Sequence, residues 1–249
     1  MLQIRASRFR QAVGCSLLLL KLTLGPGVAT GETIRGSVVL VGAEARATKK
    51  PDHAGAVVWL EPTVAGIRPA ASERKPVVMN QRGEMFHPHV MAIEVGTAVD
   101  FPNNDPIFHN VFSNFDGQVF DLQVYAPQTA RRVVFRRPGI VRVFCNIHET
   151  MSAAIAVLTT PYFAVTDGTG RFEIQVPAGD YRVQFWHERA QPEVLARLTR
   201  QVTVGPAPVS LPEAPIATSN LSGLSHKDKY GHDYARRVDE HMFYPGARR

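Results

Sequence analysis

The sequence predicts an all-β protein, whose roughly 220 residues after a signal could make one large β domain or two small ones. Three observations carry that expectation. Eighteen prolines and nineteen glycines fall largely between short apolar runs, the punctuation of a chain of strands and turns. Between Val77 and Leu158 the runs are spaced closely enough for about eight strands, sufficient for a small Greek-key sandwich. A second β group follows, divided by Thr166-Asp167-Gly168-Thr169-Gly170 and Pro177-Ala178-Gly179-Asp180.

The chain opens on a segment with the features of an export signal. Arg5, Arg8 and Arg10 make a basic start, Ala12 to Leu24 is apolar apart from Lys21, and Gly27-Val28-Ala29 offers small residues for cleavage. The apolar run is short for a membrane span; an uncleaved anchor is the alternative that Lys21 leaves open. Arginines are not paired there, which favours the general secretion route over the twin-arginine route. Cys15 lies near the start of the apolar run rather than after it, the wrong side for a lipoprotein cysteine.

Removing residues 1–29 alters two readings. The net charge is +6, but four basic residues (Arg5, Arg8, Arg10, Lys21) and no acidic ones leave with the signal, so the mature chain carries +2. Its basicity therefore says little about nucleic acid, and no arginine-rich tract with interleaved aromatics is present. Only Cys145 then remains. A lone thiol in an oxidising compartment is a free thiol, an intermolecular bridge or a metal ligand.

Thr33 to Val41 and Ala56 to Leu60 read as the first two strands, the second closed by Glu61-Pro62. Val77 to Met79 is a short strand before the Arg82-Gly83 turn. Phe86 to Ile93 is apolar but contains His87, Pro88 and His89. Gly96 turns the chain into Ala98 to Phe101, and the tight loop from Pro102 to Pro106 delivers His109. Val119 to Tyr125 and Arg132 to Phe135 follow. After the Pro138-Gly139 turn, Ile140 to Phe144 runs straight into Cys145, and Ala153 to Leu158 leads away. Tyr162 to Val165, Phe172 to Val176, Tyr181 to Trp186 and Leu195 to Val204 are the remaining strands. The expected organisation is therefore early strands in 30–75, one module in 76–159 and a further β segment in 160–205. Residues 206–249 are expected to be a proline-rich linker and a polar tail, the tail either forming a short helix near Asp233 to His241 or lacking fixed structure.

The chemistry is concentrated in Cys145-Asn146-Ile147-His148-Glu149-Thr150-Met151, with His109 upstream in Phe-His-Asn-Val-Phe. One thiolate, two imidazoles and a thioether are the ligand set of a blue-copper electron-transfer site. A structural zinc site brings more cysteines, and an iron–sulfur cluster needs about four. Cys145, His109 and His148 would form the trigonal plane and Met151 the long axial ligand, an arrangement that suits both oxidation states. Asn110 is placed to bridge the two ligand loops, and Phe108, Phe112 and Phe144 to exclude water. The alternative for each residue alone is structural: a cysteine after a strand is usually a small buried hydrophobe.

These residues resemble a family. From about Val77 to Leu158 the chain looks like a cupredoxin, on Gly96, Val99-Asp100-Phe101-Pro102-Asn103, His109-Asn110-Val111, Pro138-Gly139 and Val143-Phe144-Cys145. The Cys-x2-His-x2-Met loop is most similar to that of amicyanin, since plastocyanin and pseudoazurin have a longer gap before the methionine. The run from Met79-Asn80-Gln81 to Phe86-His87-Pro88 resembles a stretch of exported plastocyanin-like or methylamine-utilisation-type bacterial proteins. The resemblance implies an eight-stranded sandwich and a periplasmic carrier with one type 1 copper. It would exchange electrons with redox proteins such as a c-type cytochrome or a dehydrogenase, with no membrane span in its mature form. The flanks, Ile34 to Val38 with Ala56 to Val58 and Thr166 to Tyr181, resemble a carboxypeptidase-regulatory-like (transthyretin- or Ig-like) sandwich. Either one fold is inserted in the other or the early strands are shared.

Other candidates are weaker. His87 and His89 with Met79, Met85 and Met91 have the softness for Cu(I), but read better as core and strand flanks. Trp186-His187-Glu188 reads as a strand end at a domain face. His226, His232 and His241 lie in the tail with Asp228 and Asp233, with no fold to hold them around a metal. Enzyme chemistry is not expected: Cys145 and His148 as nucleophile and base would lack an orienting group and leave Met151 unexplained. The second cysteine of a binuclear centre, and the further histidine clusters of copper nitrite reductases and laccases, are not found. Besides the electron carrier, the residues leave open a copper-handling or structural protein in which copper is cargo or stabiliser.

Overall fold

The computed structural model describes residues 32–42, 52–64, 74–114, 118–219 and 226–234. The export signal expected in 1–29 lies outside them. Among the described residues there are eighteen strands and one short helix, so the all-β expectation holds.

The strands from Val77 to Leu158 form one sandwich. Its larger sheet runs β6 (Val90–Glu94), β12 (Ser152–Leu158), β11 (Gly139–Phe144), β8 (His109–Ser113), β9 (Phe120–Tyr125). The opposing sheet is β10 (Ala130–Val134), β7 (Ala98–Pro102), β3 (Val77–Val78). The inward positions of both sheets meet in one apolar core that holds Val99, Phe101 and Val133 against Val111, Val141, Val143, Ile155 and Val157. Cys145 and Met151 belong to the same core. A two-residue turn joins the small hairpin β4 (Asn80–Gln81) and β5 (Phe86–His87), with Gly83 and Glu84 both at positive φ, 64° and 55°. Positive φ at both central residues is the turn geometry that matches the twist of a tight hairpin.

The second sandwich takes its strands from both flanks. β1 (Glu32–Val41) pairs antiparallel with β14 (Arg171–Val176). The other sheet runs β13 (Phe163–Val165), β2 (Val57–Pro62), β15 (Gly179–Trp186), β16 (Arg200–Val204). Of the two arrangements left open by the sequence, the pairing is that of insertion: the first sandwich lies in the chain between β2 and β13. In the Asp167 turn, the Asp167 carboxylate accepts from Thr169 N (2.8 Å) and Arg171 N (3.0 Å). Gly170 completes that turn at φ +79°, where a Cβ would sit 2.0 Å from the Val38 carbonyl oxygen, so only glycine fits.

Two expectations are corrected. Residues 206–217, expected as linker, supply β17 (Val209–Ser210) and β18 (Ala214–Ala217), both parallel to β1. Proline lacks an N–H but is tolerated on an edge strand, which is where Pro215 lies. Leu195 to Val204, expected as one strand, divides into α1 (Pro192–Leu198) and β16. Proline in the first turn, Glu193 beside it and Arg197 in the last turn favour the helix.

The two sandwiches meet along β12, all seven residues of which are buried. Ala153, Ile155 and Val157 face the first core. Ala156 and Leu158 turn the other way and pack with Val57 and Val90, flanked by Trp59, Phe163 and Trp186. Beside this seam, the Glu188 carboxylate receives His89 Nε2 at 2.9 Å and Arg142 Nη1 at 3.4 Å, and His89 Nδ1 lies 3.0 Å from the Ser152 carbonyl oxygen. The hydrogen bond to Glu188 raises the His89 pKa above the ordinary 6.5, against the opposing effect of burial. Neighbouring His187 is held down to about 4, chiefly by burial, and stays neutral near pH 7. A raised imidazole pKa stabilises the fold fully below about pH 6.5 and ceases to do so as pH rises through the folded value. The melting temperature of the native protein should therefore exceed that of His89→Gln most at about pH 5.5, the gap closing toward about pH 8.5. A gap independent of pH would assign the contribution of His89 to packing alone.

Candidate metal centre

β8 begins at His109, and the loop before it is tied down by a fully buried Asn103. Its Nδ2 donates to the Ile107 carbonyl at 2.9 Å and its Oδ1 accepts from Asp105 N at 3.1 Å. β11 ends at Phe144, so Cys145 is the first residue beyond the ladder. The loop that follows closes on itself: Cys145 N donates to the Met151 carbonyl (3.0 Å) and Met151 N to the His148 carbonyl (3.1 Å). This turn brings His148 back over Cys145 and starts β12.

Three donor atoms converge. Cys145 Sγ lies 3.5 Å from His148 Nδ1 and 3.8 Å from His109 Nδ1, and the two Nδ1 atoms are 3.2 Å apart. The centre of a triangle with those sides is about 2.0 Å from each corner, close to a metal–imidazole bond length. The three residues are the one group of its kind among the described residues, and all three are buried. Met151 is fully buried in the same core.

The outer nitrogens decide what the inner ones can do. His109 Nε2 lies 2.7 Å from Asp105 Oδ2, and His148 Nε2 lies 3.8 Å from Glu84 Oε2. A carboxylate behind an imidazole holds the proton on the facing nitrogen and leaves the other as a lone pair. At His109 this leaves Nδ1 as a lone pair, and with the Cys145 sulfur and His148 Nδ1 it faces one buried spot, an arrangement that a cation satisfies; Glu84, at 3.8 Å, adds negative charge near His148 without a hydrogen bond. Burial pushes the Cys145 thiol up, opposed by the backbone N–H groups of Asn110, Ile147 and His148. Asp105 stays below the usual carboxylate range: burial acts to raise it, but the N–H groups of Glu84 and Gly83 and the His109 imidazole outweigh it.

Asn110 bridges the two ligand loops as its position suggests: its Oδ1 accepts from Asn146 N at 3.2 Å, and its Nδ2 donates to Asp121 at 2.7 Å. Phe112 and Phe144 are buried, with rings 5.8 Å apart. Phe108, expected to exclude water, is 43% exposed. His148 is only 7% exposed, so the ligand loop does not present a bare histidine edge.

The remaining histidine candidates disperse. His87 Nε2 contacts the Arg82 carbonyl at 3.2 Å, His89 is paired to Glu188, Met79 is core and Met85 is half-exposed. His232 pairs with Asp228 and His241 lies outside the described residues. Residues 226–234 do not trail away. Tyr234 Oη donates to the Cys145 carbonyl (2.7 Å), Lys229 N donates to Asn146 Oδ1 (2.7 Å), and the His226 ring lies 4.4 Å from that of Phe144. The proposed helix near Asp233 falls almost wholly outside the described residues.

Asp105, Glu84 and the Tyr234 contact were not anticipated from sequence. The Met79-to-Pro88 run has a physical basis in the fold. Gln81 is fully buried, and its Nε2 donates to Tyr125 Oη and to the Pro102 carbonyl (3.3 Å). That anchors the hairpin whose tip supplies Gly83 and Glu84 to the site.

No family model matches the chain. It is 38% identical over 81 residues to the methylamine utilization protein MauL of Methylorubrum extorquens, a match that spans 32% of this chain and 69% of MauL. The chain belongs to the MauL family. Solved structures similar to part of this MauL-family chain include a Cu-containing nitrite reductase from Thermus scotoductus SA-01. That match has 26% identity and a TM-score of 0.33, covering 49% of this chain and 28% of the reductase. An oxidized amicyanin variant is similar at 18% identity and TM-score 0.31, covering 33% of this chain and 81% of its own. A purple cupredoxin from Nitrosopumilus maritimus is similar at 22% identity and TM-score 0.30, covering 33% and 98%.

Proposed function

We propose that this protein is an exported type 1 copper protein that carries single electrons between redox partners, and not an enzyme. The observation that carries this reading is the convergence of two carboxylate-backed imidazoles and one buried thiol on a single point. His109, Cys145, His148 and Met151 would hold the metal. Copper bound there would take up and release one electron. The chain's own part is to keep the donors fixed: the Cys145–Met151 and Met151–His148 backbone bonds and the Asn110 bridge hold the two ligand loops against one another. Donors that do not move lower the cost of changing oxidation state.

The copper-handling alternative has less support, because ligands buried in a closed loop resist release to an acceptor. We infer a copper module at about 76–159 inserted in a structural sandwich formed by 30–75 and 160–217, with a signal peptide at 1–29 and a periplasmic location. Partners would be a c-type cytochrome or a dehydrogenase. The test is the visible and EPR spectrum of the mature protein after Cu(II) loading. An intense thiolate-to-copper band with narrow hyperfine splitting is expected. A colourless protein with ordinary tetragonal copper signals would overturn the reading.

A further inference from the structure

Both imidazoles of the site have a carboxylate behind them, and one hairpin governs both. Asp105 is buried with His109; their side chains are 7% and 0% exposed. Two successive N–H groups at the tip of the β4–β5 hairpin hold it: Gly83 N to Oδ1 at 2.5 Å and Glu84 N to Oδ2 at 2.9 Å. The Glu84 side chain extends from the same tip to His148, with its carboxylate 43% exposed. The hairpin is thus a clamp, gripping Asp105 with its backbone and reaching His148 with its side chain. Neither acid is a metal ligand in the donor set, and packing alone does not call for a carboxylate in a site as dry as that of Asp105.

We propose that Asp105 and Glu84 are positioning residues that set the redox balance of the site: Asp105 holds the His109 Nε2–H, Glu84 lies 3.8 Å from His148 Nε2, and together they place two negative charges behind the imidazoles so that the oxidised metal is favoured. This rests on the copper reading above. Negative charge near the metal stabilises Cu(II) over Cu(I), and the two acids differ in strength by their surroundings. Asp105, covered by the hairpin, is screened by salt less than Glu84. Glu84 is half in water, acts weakly and is screened. The stretch from Met79 to Pro88 then has a role beyond packing: Gln81 and Phe86 anchor the hairpin that presents both acids.

The test uses the Cu(II)-loaded full mature chain as native protein, Asp105→Asn and Glu84→Gln. Each is read by its visible band, its reduction potential, and its Cu(I) and Cu(II) affinities by chelator competition. In Asp105→Asn the band should persist while the Cu(II)/Cu(I) balance moves at least tenfold toward Cu(I), a rise of about 59 mV for one electron. Cu(II) affinity should fall about 10–100-fold, and Cu(I) affinity by less. In Glu84→Gln a smaller rise at low salt should shrink as salt increases. A residue that served only to pack would lower both affinities together and leave the potential in place. A retained band with the Asp105→Asn Cu(II)/Cu(I) balance within threefold of native would overturn the proposal and leave the copper reading intact. Absence of a thiolate band in the native protein would defeat both. If Asp105→Asn does not fold, Glu84→Gln decides: a salt-sensitive rise supports the proposal and no rise at low salt overturns it.

Discussion

Cys145→Ser is expected to abolish the thiolate-to-copper band completely. The colour of a blue-copper site comes from charge transfer out of a covalently bound sulfur, and a serine hydroxyl offers no low-energy sulfur orbital and no anion at neutral pH. Cys145 is the only free cysteine among the described residues, so no neighbouring thiol can replace it. The fold should survive, because the change is nearly isosteric. Copper bound by the variant would be held by His109, His148 and Met151 without a thiolate and give ordinary tetragonal EPR signals. The visible spectrum after Cu(II) loading and a thermal melt of both proteins are the checks. An unchanged band in the variant would remove Cys145 from the ligand set, and an unfolded variant would be recognised by the melt.

The candidate donors stood out in the sequence because three of them sit within seven residues at the end of a strand. A turn of that length has few ways to fold when β11 and β12 pair in register on either side of it. His109 was legible because it begins a strand after a tight, proline-bounded loop. The carboxylates behind the imidazoles were not. Asp105 lies four residues before His109, but in a loop that spacing has no periodic meaning, and Glu84 is 64 residues from His148 in sequence. Such pairs exist only once the β4–β5 hairpin is docked, which is a long-range event. The tail contact of Tyr234 was hidden for a related reason: a polar run of mixed charge reads as solvated unless its docking surface is known. Residues 206–217 failed differently. Their prolines suggested a linker, while the outer edge of β1 needed partners that a proline-containing edge strand can supply through its carbonyls and its remaining N–H groups.

The largest stability effect is expected from Ala156→Asp. Strand β12 was legible as a strand, but its sequence, Ser-Ala-Ala-Ile-Ala-Val-Leu, lacks the polar alternation of a strand with one wet face. The structure supplies the reason: one face fills the core of the first sandwich and the other meets the second. Ala156 is fully buried on that second face, against Val57, Val90 and Leu158. A carboxylate there would be desolvated among apolar side chains, and Arg142, the cation beside the seam, is already engaged by Glu188. An unpaired buried charge costs about 3–5 kcal/mol, and the melting temperature should fall by roughly 10 °C for a chain of this size. The same charge placed at half-exposed Val124 should change stability by no more than about 0.5 kcal/mol. Calorimetry can separate the two arrangements that would follow. If the seam holds the sandwiches as one cooperative unit, Ala156→Asp lowers a single transition or splits it into two. A variant that melts like the native protein would mean that the sandwiches are stable independently and that the contact along β12 contributes little. The inserted arrangement makes cooperative coupling the expected result. Both ends of the first sandwich are tied covalently to strands of the second, β2 before it and β13 after it, and these two strands pair with one another.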